Sequence, residues 1–152
     1  ITLLGMQTSI YNIETRIGTN GKPYIMEVSP RGGGNRLAEM LRYATGVDLI
    51  TACTRAAVGD PIGDIQEKDY DGCWAEVVLH SKKTGVFKEL QVADSLPAKV
   101  VECDLWVNEG DHVSDFEGAN NAIGMLILSF KSNEDLLETM KNQDAWLNVV
   151  VE

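Results

Sequence analysis

The chain has 152 residues, enough for one ordinary domain and a small second lobe. Hydrophobic residues make up 44% and charged residues 24%, a composition that is typical of a soluble globular protein and excludes a disordered one. The net charge of −10 repels nucleic acid and anionic membranes, so we expect neither as a partner. The longest apolar run is too short to span a bilayer.

The first third of the chain predicts a β-hairpin followed by two helices. The hairpin is indicated by two alternating segments on either side of an Asn-Gly turn signal. The predicted elements are a strand over residues 6–16, a turn over 18–22, a strand over 23–28, a loop over 29–34, and helices over 36–44 and 48–58. Asn35 is predicted to cap the first helix, and Gly46 separates the two helices.

The rest of the chain is predicted to consist mostly of strands. Residues 63–72 are polar and rich in turn formers, which indicates a connection. The predicted elements are strands over residues 74–80, 86–92, 100–107 and 124–130, a helix over 133–141 capped by Ser132, and a last strand over 146–151. This order predicts an α+β fold with two domains, residues 1–62 and 63–152, the second a mostly antiparallel β lobe.

Two glutamates in the predicted hairpin are candidates for metal binding. A tight turn at Asn20-Gly21 puts Glu14 and Glu27 opposite each other, and cross-strand neighbours lie about 5 Å apart. Two carboxylates at that distance repel unless a cation joins them or one is protonated. Mg²⁺ suits two oxygen ligands that leave coordination positions for phosphates.

The loop after the hairpin is a candidate anion site. Arg31 follows Glu27 by four residues, and a guanidinium can bind a phosphate or a carboxylate with two hydrogen bonds. The N–H groups of the glycines at 32–34 add a possible anion-binding nest before a helix N-terminus. From the residues alone, a solvated hairpin with a flexible glycine loop remains open as an alternative.

Residues 11–16 (Tyr-Asn-Ile-Glu-Thr-Arg) and 20–31 (Asn-Gly-Lys-Pro-Tyr-Ile-Met-Glu-Val-Ser-Pro-Arg) resemble the signature of ATP-grasp enzymes. In that family a glutamate on one strand is followed by a hairpin and then by Glu-x-Asn-x-Arg. The run Ala-Thr-Gly-Val-Asp-Leu at 44–49, with Ala-Ala-Val-Gly at 56–59, is similar to biotin carboxylases and carbamoyl-phosphate synthases. The remainder loosely resembles the C-terminal lobe of L-amino-acid ligases. The fold implied is the C-terminal half of an ATP-grasp fold.

The resemblance implies roles for individual residues. Glu14 and Glu27 match the family's ligands for Mg²⁺ (or Mn²⁺), and Arg31 matches the arginine that holds the transferred phosphate. Ser29 stands where many members have an asparagine that contacts metal or phosphate. The residues that match or adjoin the nucleotide-binding motif are Arg16, Ser29, Gly33 and Gly34. For Arg16, a purely surface position on the strand is equally open.

The reaction implied is that of an ATP-dependent carboxylate–amine ligase. A carboxylate attacks the γ-phosphate of ATP, and an amine then captures the acyl phosphate. Two alternatives remain: a bicarbonate-activating enzyme similar to carbamoyl-phosphate synthase or biotin carboxylase, and a non-catalytic binding or assembly module that keeps the fold. Because the family's lysines and adenine pocket come largely from sequence before this hairpin, the partner we expect is the N-terminal remainder of a parent enzyme, and the chain alone should be inactive.

The three cysteines are odd in number and widely spaced, which fits neither a zinc site nor a redox motif. We expect Cys53, Cys73 and Cys103 to be free, buried thiols in a reducing cytoplasm. No charged leader with an apolar core begins the sequence, which gives no indication of secretion. The predicted location is therefore cytoplasmic.

Overall fold

A computed structural model describes residues 2–5 and 9–152. The chain divides into two compact units, Ile1–Asp69 and Tyr70–Glu152, here called unit 1 and unit 2. The boundary predicted after residue 62 lies inside residues 58–72, a stretch without helix or strand, and it stays a prediction. Among the described residues, no helix is both long enough and apolar enough to cross a membrane.

Unit 1 consists of a hairpin and two helices, as predicted. Its elements are a 3-10 helix at Thr2–Leu4, strands β1 (Asn12–Ile17) and β2 (Pro23–Ser29), and helices α1 (Leu37–Thr45) and α2 (Leu49–Ala57). β1 and β2 pair antiparallel in a sheet of their own. The predicted first strand was too long at its start, because residues 9–11 are not in a strand, while residues 6–8 lie outside the described residues.

The start of α1 corrects the predicted helix cap. Asn35 does not cap the helix; Arg36 occupies the cap position, and no side chain there accepts a hydrogen bond. Both residues have positive φ, 54° for Asn35 and 64° for Arg36. Asparagine is common in this left-handed region, which explains why a residue with the composition of a cap serves as a turn instead.

The C-terminus of α1 and the N-terminus of α2 have the usual capping interactions. Gly46 ends α1 in the left-handed conformation, and its N–H donates to the Arg42 carbonyl at 2.8 Å. Asp48 caps α2 by accepting hydrogen bonds from the Thr51 N–H and hydroxyl, each at 2.9 Å. These bonds, that of the backbone N–H first, lower the pKa of the Asp48 carboxyl.

Unit 2 is mostly antiparallel sheet, as predicted. Its strands are β3 (Cys73–His80), β4 (Gly85–Val92), β5 (Ala98–Leu105), β6 (His112–Val113), β7 (Ala122–Phe130) and β8 (Leu147–Val151). They form two sheets, in the orders β3-β7-β5 and β6-β4-β8. One helix, α3 (Asn133–Lys141), follows β7, and 3-10 helices lie at Ala119–Asn121 and Gln143–Ala145. Together the two units confirm the α+β class.

The core of unit 2 is built around β7, which pairs with β3 on one edge and β5 on the other. Consecutive residues of β7 are buried, so both faces of this strand are covered, which explains why its apolar residues run without alternation. Leu126 and Leu128 are completely buried, and Ile127 is nearly so. α3 begins where Ser132 accepts a hydrogen bond from the Asp135 N–H at 3.1 Å, which confirms the predicted cap.

Unit 1 has very little core by comparison. In its described residues only Ala44 and Ala52 are buried hydrophobic side chains. The hairpin leaves Ile13, Ile17 and Ile25 exposed by 46%, 66% and 66%. All three cysteines are free, as predicted, but the prediction that they are buried was wrong, because Cys53 and Cys103 are exposed.

Candidate functional site

The two candidate metal ligands face each other in the hairpin. Glu14 is the direct cross-strand partner of Glu27 in the β1–β2 register, as predicted. The turn between them is closed by hydrogen bonds from the Gly21 N–H to the Gly18 carbonyl and from the Gly18 N–H to the Lys22 carbonyl, both 2.9 Å. Both glutamates are exposed, so their carboxylates are open to a ligand.

A β-bulge lies directly beside this pair. Glu14 faces Glu27, but the next residue, Thr15, faces Ile25, so that Met26 has no partner of its own. If the regular pairing continued from Glu14 and Glu27, Thr15 would face Met26. Each later residue of β1 would then face the residue of β2 one position further along the chain than it does now. The extra residue keeps the apolar side chains Ile13, Ile17 and Ile25 on one face and the glutamates on the other.

Ser29 is tied to the glutamate pair. It lies two residues after Glu27, hence on the same face of β2, and its partner in β1 is Asn12. The Ser29 hydroxyl donates a hydrogen bond to Glu27 Oε1. The site therefore combines two carboxylates with a neighbouring hydroxyl, all oxygen donors of the kind that Mg²⁺ and Mn²⁺ prefer.

Arg31 is exposed and bonded within its own loop. Its N–H donates to the Ser29 carbonyl at 2.9 Å, and its guanidinium Nη1 donates to the Gly32 carbonyl at 2.8 Å. Arg16 is also exposed; it follows Glu14 by two residues and faces Tyr24 across the hairpin. Arg16 thus lies on the glutamate face of β1, while the Arg31 side chain points back to its own backbone.

The glycine loop packs closely against the first turn of α1. A Cβ on Gly33 would lie 2.5 Å from Leu37 Cδ2, so no larger residue fits without moving that leucine. A Cβ on Gly34 would meet nothing within 4 Å. The Gly34 carbonyl accepts a hydrogen bond from the Leu37 N–H at 3.2 Å, which joins the loop to the helix.

A cavity of about 770 Å³ in unit 1 adjoins the site. Asn12, Gly32 and Gly33 border it on the side of the hairpin and loop. Its walls are otherwise mainly apolar side chains of the two helices, namely Leu37, Leu41, Leu49, Ile50 and Ala57. Arg36 also lines the cavity, with Nε 3.1 Å from Glu39 Oε1. The sequence analysis did not predict that Arg36 lines this cavity, because a charged residue after a glycine run has no distinctive spacing.

Within the described part of the chain, no group of three or more His, Cys, Asp or Glu side chains could hold a metal ion. A cation at Glu14 and Glu27 therefore needs further ligands, which phosphate oxygens and water supply in magnesium sites. The donor set fits a metal whose remaining coordination positions are filled by water or by oxygens of a ligand. The assignments of Glu14, Arg16, Glu27, Ser29, Arg31, Gly33 and Gly34 stay predictions.

Comparison with solved structures identifies the fold. Phosphoribosylglycinamide synthetase from Anaerococcus prevotii matches 99% of this chain at 19% identity, with a TM-score of 0.78. L-amino acid ligase from Bacillus licheniformis matches 99% at 17% identity, with a TM-score of 0.76. The biotin carboxylase domain of Hydrogenobacter thermophilus 2-oxoglutarate carboxylase, in complex with MgADP, ADP and bicarbonate, matches 91% at 17% identity, with a TM-score of 0.64. No family model and no curated protein matches the sequence.

These three proteins are ATP-grasp enzymes, and the predicted resemblance to that superfamily is confirmed at the level of the fold. This chain matches only part of each of these proteins, since it spans 39%, 38% and 31% of their lengths. It therefore has the fold of a part of an ATP-grasp enzyme. At identities below 20%, the likeness extends to the fold and no further.

Proposed function

We propose that this chain is the magnesium- and phosphate-binding part of an ATP-dependent ligase that joins a carboxylate to an amine. The observation that carries the proposal is the cross-strand pair of Glu14 and Glu27, with Ser29 bonded to Glu27. The exposure of the pair and its oxygen-only chemistry favour a cation bound jointly with nucleotide phosphates. The matches to an L-amino acid ligase and a MgADP complex favour the same interpretation.

Arg31 has the role of holding the transferred phosphate in this proposal. Its guanidinium donates to the uncharged Gly32 carbonyl, and because this hydrogen bond is exposed to solvent it contributes little to stability. A phosphate is itself charged and accepts a stronger bond from the guanidinium, so the exchange is favourable when ATP is present. Arg16 and the N–H groups of Gly33 and Gly34 are proposed as further contacts to the nucleotide.

The reaction proposed is attack of a substrate carboxylate on the γ-phosphorus of ATP with release of ADP, followed by attack of an amine on the acyl phosphate with release of inorganic phosphate and a proton. Protein catalysis then consists of positioning and of neutralising charge on the phosphate oxygens. Glu14 and Glu27 would hold Mg²⁺, which would supply positive charge to these oxygens, and Arg31 would add its own. No nucleophilic side chain is needed.

The proposed partner is the remainder of a parent enzyme, which would contain the rest of the nucleotide site. Two observations support it: the chain spans less than two fifths of the solved enzymes it matches first, and unit 1 is poorly covered. A two-stranded hairpin is marginally stable alone, and the exposed Ile13, Ile17 and Ile25 are the side chains that further strands or helices would bury. We expect this chain by itself to be inactive, and we place the parent in the cytoplasm.

The experiment that tests the function measures ATP-dependent phosphate release by the parent enzyme with a panel of carboxylates and amines. Release that requires one carboxylate and one amine, with Glu27→Gln lowering turnover at least about a hundredfold and Glu67→Gln leaving it unchanged, supports the ligase. Glu67 is a suitable control because it is an exposed glutamate of unit 1 outside the hairpin. Unchanged turnover in Glu27→Gln would contradict the proposed site.

The second candidate is a bicarbonate-activating enzyme, which is favoured by the match to a biotin carboxylase domain bound to bicarbonate. Bicarbonate in the same assay, without an organic carboxylate, distinguishes it. A third, a non-catalytic module, is favoured by Ser29 in place of the family's asparagine. Absence of phosphate release and of ATP binding in the parent enzyme would support that module.

A further inference from the structure

A second cavity lies wholly within unit 2, separate from the hairpin residues. It has a volume of about 370 Å³, within the usual range of small-molecule sites. Its apolar lining comes from Val78 of β3 and from Leu147 and Val149 of β8. These strands are edges of different sheets, so the cavity lies where the two sheets meet.

The cavity is lined by positively charged residues, although unit 2 as a whole is acidic. Residues 70–152 contain six lysines, fifteen carboxylates and no arginine. Two of the six lysines, Lys82 and Lys83, line the cavity together with His80, and the single carboxylate in its lining is that of Asp144. Adjacent lysines in an acidic unit repel each other and attract an anion.

The segment that carries these cations is held in place by its neighbours. Ser81 is buried; its hydroxyl accepts from the Lys83 N–H at 3.2 Å and donates to the Lys83 carbonyl. The next residue, Thr84, donates to Asp115 Oδ1 at 2.8 Å. The ring of His80 packs against Phe116 with centroids 4.6 Å apart. The backbone of the turn is thus positioned before any ligand binds, which lowers the entropy cost of binding.

The two lysines differ in their counter-charges. Lys82 forms an ion pair with Asp144, but the side chains are 69% and 77% exposed, and such pairs contribute little to stability. For Lys83, no carboxylate in the described part of the chain lies within 4 Å of the ammonium group. An anion in the cavity would meet Lys83 directly and would compete with Asp144 for Lys82.

We propose that this cavity is a binding site for a small organic anion, whose charged group binds Lys83 and Lys82 and whose apolar part lies against Val78, Leu147 and Val149. Gln143 and Asn148, which also line the cavity, supply hydrogen-bonding groups. None of its residues belongs to the hairpin or the glycine loop, so this proposal does not rest on the proposed ligase chemistry. The anion is a carboxylate or a phosphate monoester.

The test is an NMR titration of the full 152-residue chain with phenyl phosphate, benzoate and inorganic phosphate. We expect saturable shifts at residues 78–83 and 143–149, with an aromatic anion binding at least about fivefold tighter than inorganic phosphate because of the apolar walls. Whichever of phenyl phosphate and benzoate binds more tightly shows whether the ligand's charged group is a phosphate or a carboxylate. Equal affinity for all three, or no saturable shifts at these residues, overturns the proposal.

Matched variants distinguish specific binding in the cavity from a general attraction of anions to lysines. Lys83→Ala should weaken binding about tenfold, while Lys99→Ala, which removes the same charge from an exposed position on β5, should have no effect. Asp144→Asn should strengthen binding about threefold by removing the competing carboxylate, and Glu109→Gln should not. If each variant behaves like its matched control, binding depends on net charge alone and the proposal fails.

Discussion

Glu14 and Glu27 are direct cross-strand partners, and the Ser29 hydroxyl bonds to one of the two carboxylates. Like charges in this position destabilise a hairpin, since cross-strand side chains lie about 5 Å apart. A divalent cation removes the repulsion and supplies a reason for the arrangement. Metal binding is therefore the first property to measure.

The glutamate pair, Glu14 and Glu27, predicts weak but specific binding of Mn²⁺ to this chain. We expect paramagnetic broadening of NMR signals from β1 and β2 at submillimolar Mn²⁺, centred on Glu14 and Glu27. Glu27→Gln should weaken binding at least about tenfold, because one of two charged ligands is lost. Equal broadening in Glu27→Gln and in the control Glu67→Gln would show that the pair is not the metal site.

Ser29 orients Glu27, so its removal should have a smaller effect than removal of the carboxylate. Ser29→Ala should weaken Mn²⁺ binding by about threefold, because a solvent-exposed hydrogen bond contributes about 0.5–1 kcal/mol. Ser29→Asn retains a donor and places the family's residue at this position; it should restore most of the affinity. A full loss in Ser29→Ala, matching Glu27→Gln, would instead indicate that the hydroxyl is itself a ligand.

Gly33 and Gly34 should respond differently to the same substitution. Gly33→Ala forces Leu37 to move, because the added Cβ would lie 2.5 Å from Leu37 Cδ2. We expect a loss of about 1 kcal/mol in the stability of unit 1 and shifted NMR signals in the first turn of α1. Gly34→Ala adds a Cβ to open space and should leave both unchanged. Equal responses would contradict the close packing of the loop.

Ser132 caps α3 and should contribute measurably to unit 2. Its Oγ accepts from the Asp135 N–H at 3.1 Å and donates to Asp135 Oδ2 at 2.7 Å. Ser132→Ala should lower the free energy of unfolding by about 1 kcal/mol, measured by urea denaturation followed by tryptophan fluorescence. Ser95→Ala, at an exposed position in a turn, is the matched control and should change the midpoint little.

Cys103 should react slowly with alkylating reagents at neutral pH. Partial burial of the thiol, and then the nearby Asp104 carboxylate, raise its pKa above the ordinary value. Because the thiolate is the reactive form, the rate should reach half its maximum at a higher pH than for N-acetylcysteine. Mass spectrometry of the Cys103 peptide gives the profile, and Asp104→Asn should shift it to lower pH. An unshifted profile in the wild-type chain would contradict the raised pKa.

The elements of this fold were largely predictable because their signals are local. A tight turn at Asn20-Gly21 predicted that Glu14 faces Glu27, and runs of strand-forming residues between turn formers indicated five of the six strands of unit 2. Next to the turn the strands pair one residue out of the predicted register, with Ile17 facing Pro23, and the bulge restores it. The bulge at Met26 was not predictable, since its effect appears only in the pairing of two strands. β6 was missed because two residues carry no periodicity, and Asn35 was misread because caps and left-handed turns favour the same residue.

The location of the glutamates in the unit with little core has a thermodynamic consequence. Whatever holds the hairpin in its paired form, whether a cation on the glutamate face or protein on the isoleucine face, stabilises the same two strands. Linkage then requires that each raise the affinity of the other by an equal factor. A metal ion and a covering polypeptide would thus be positive effectors of one another without sharing a single contact.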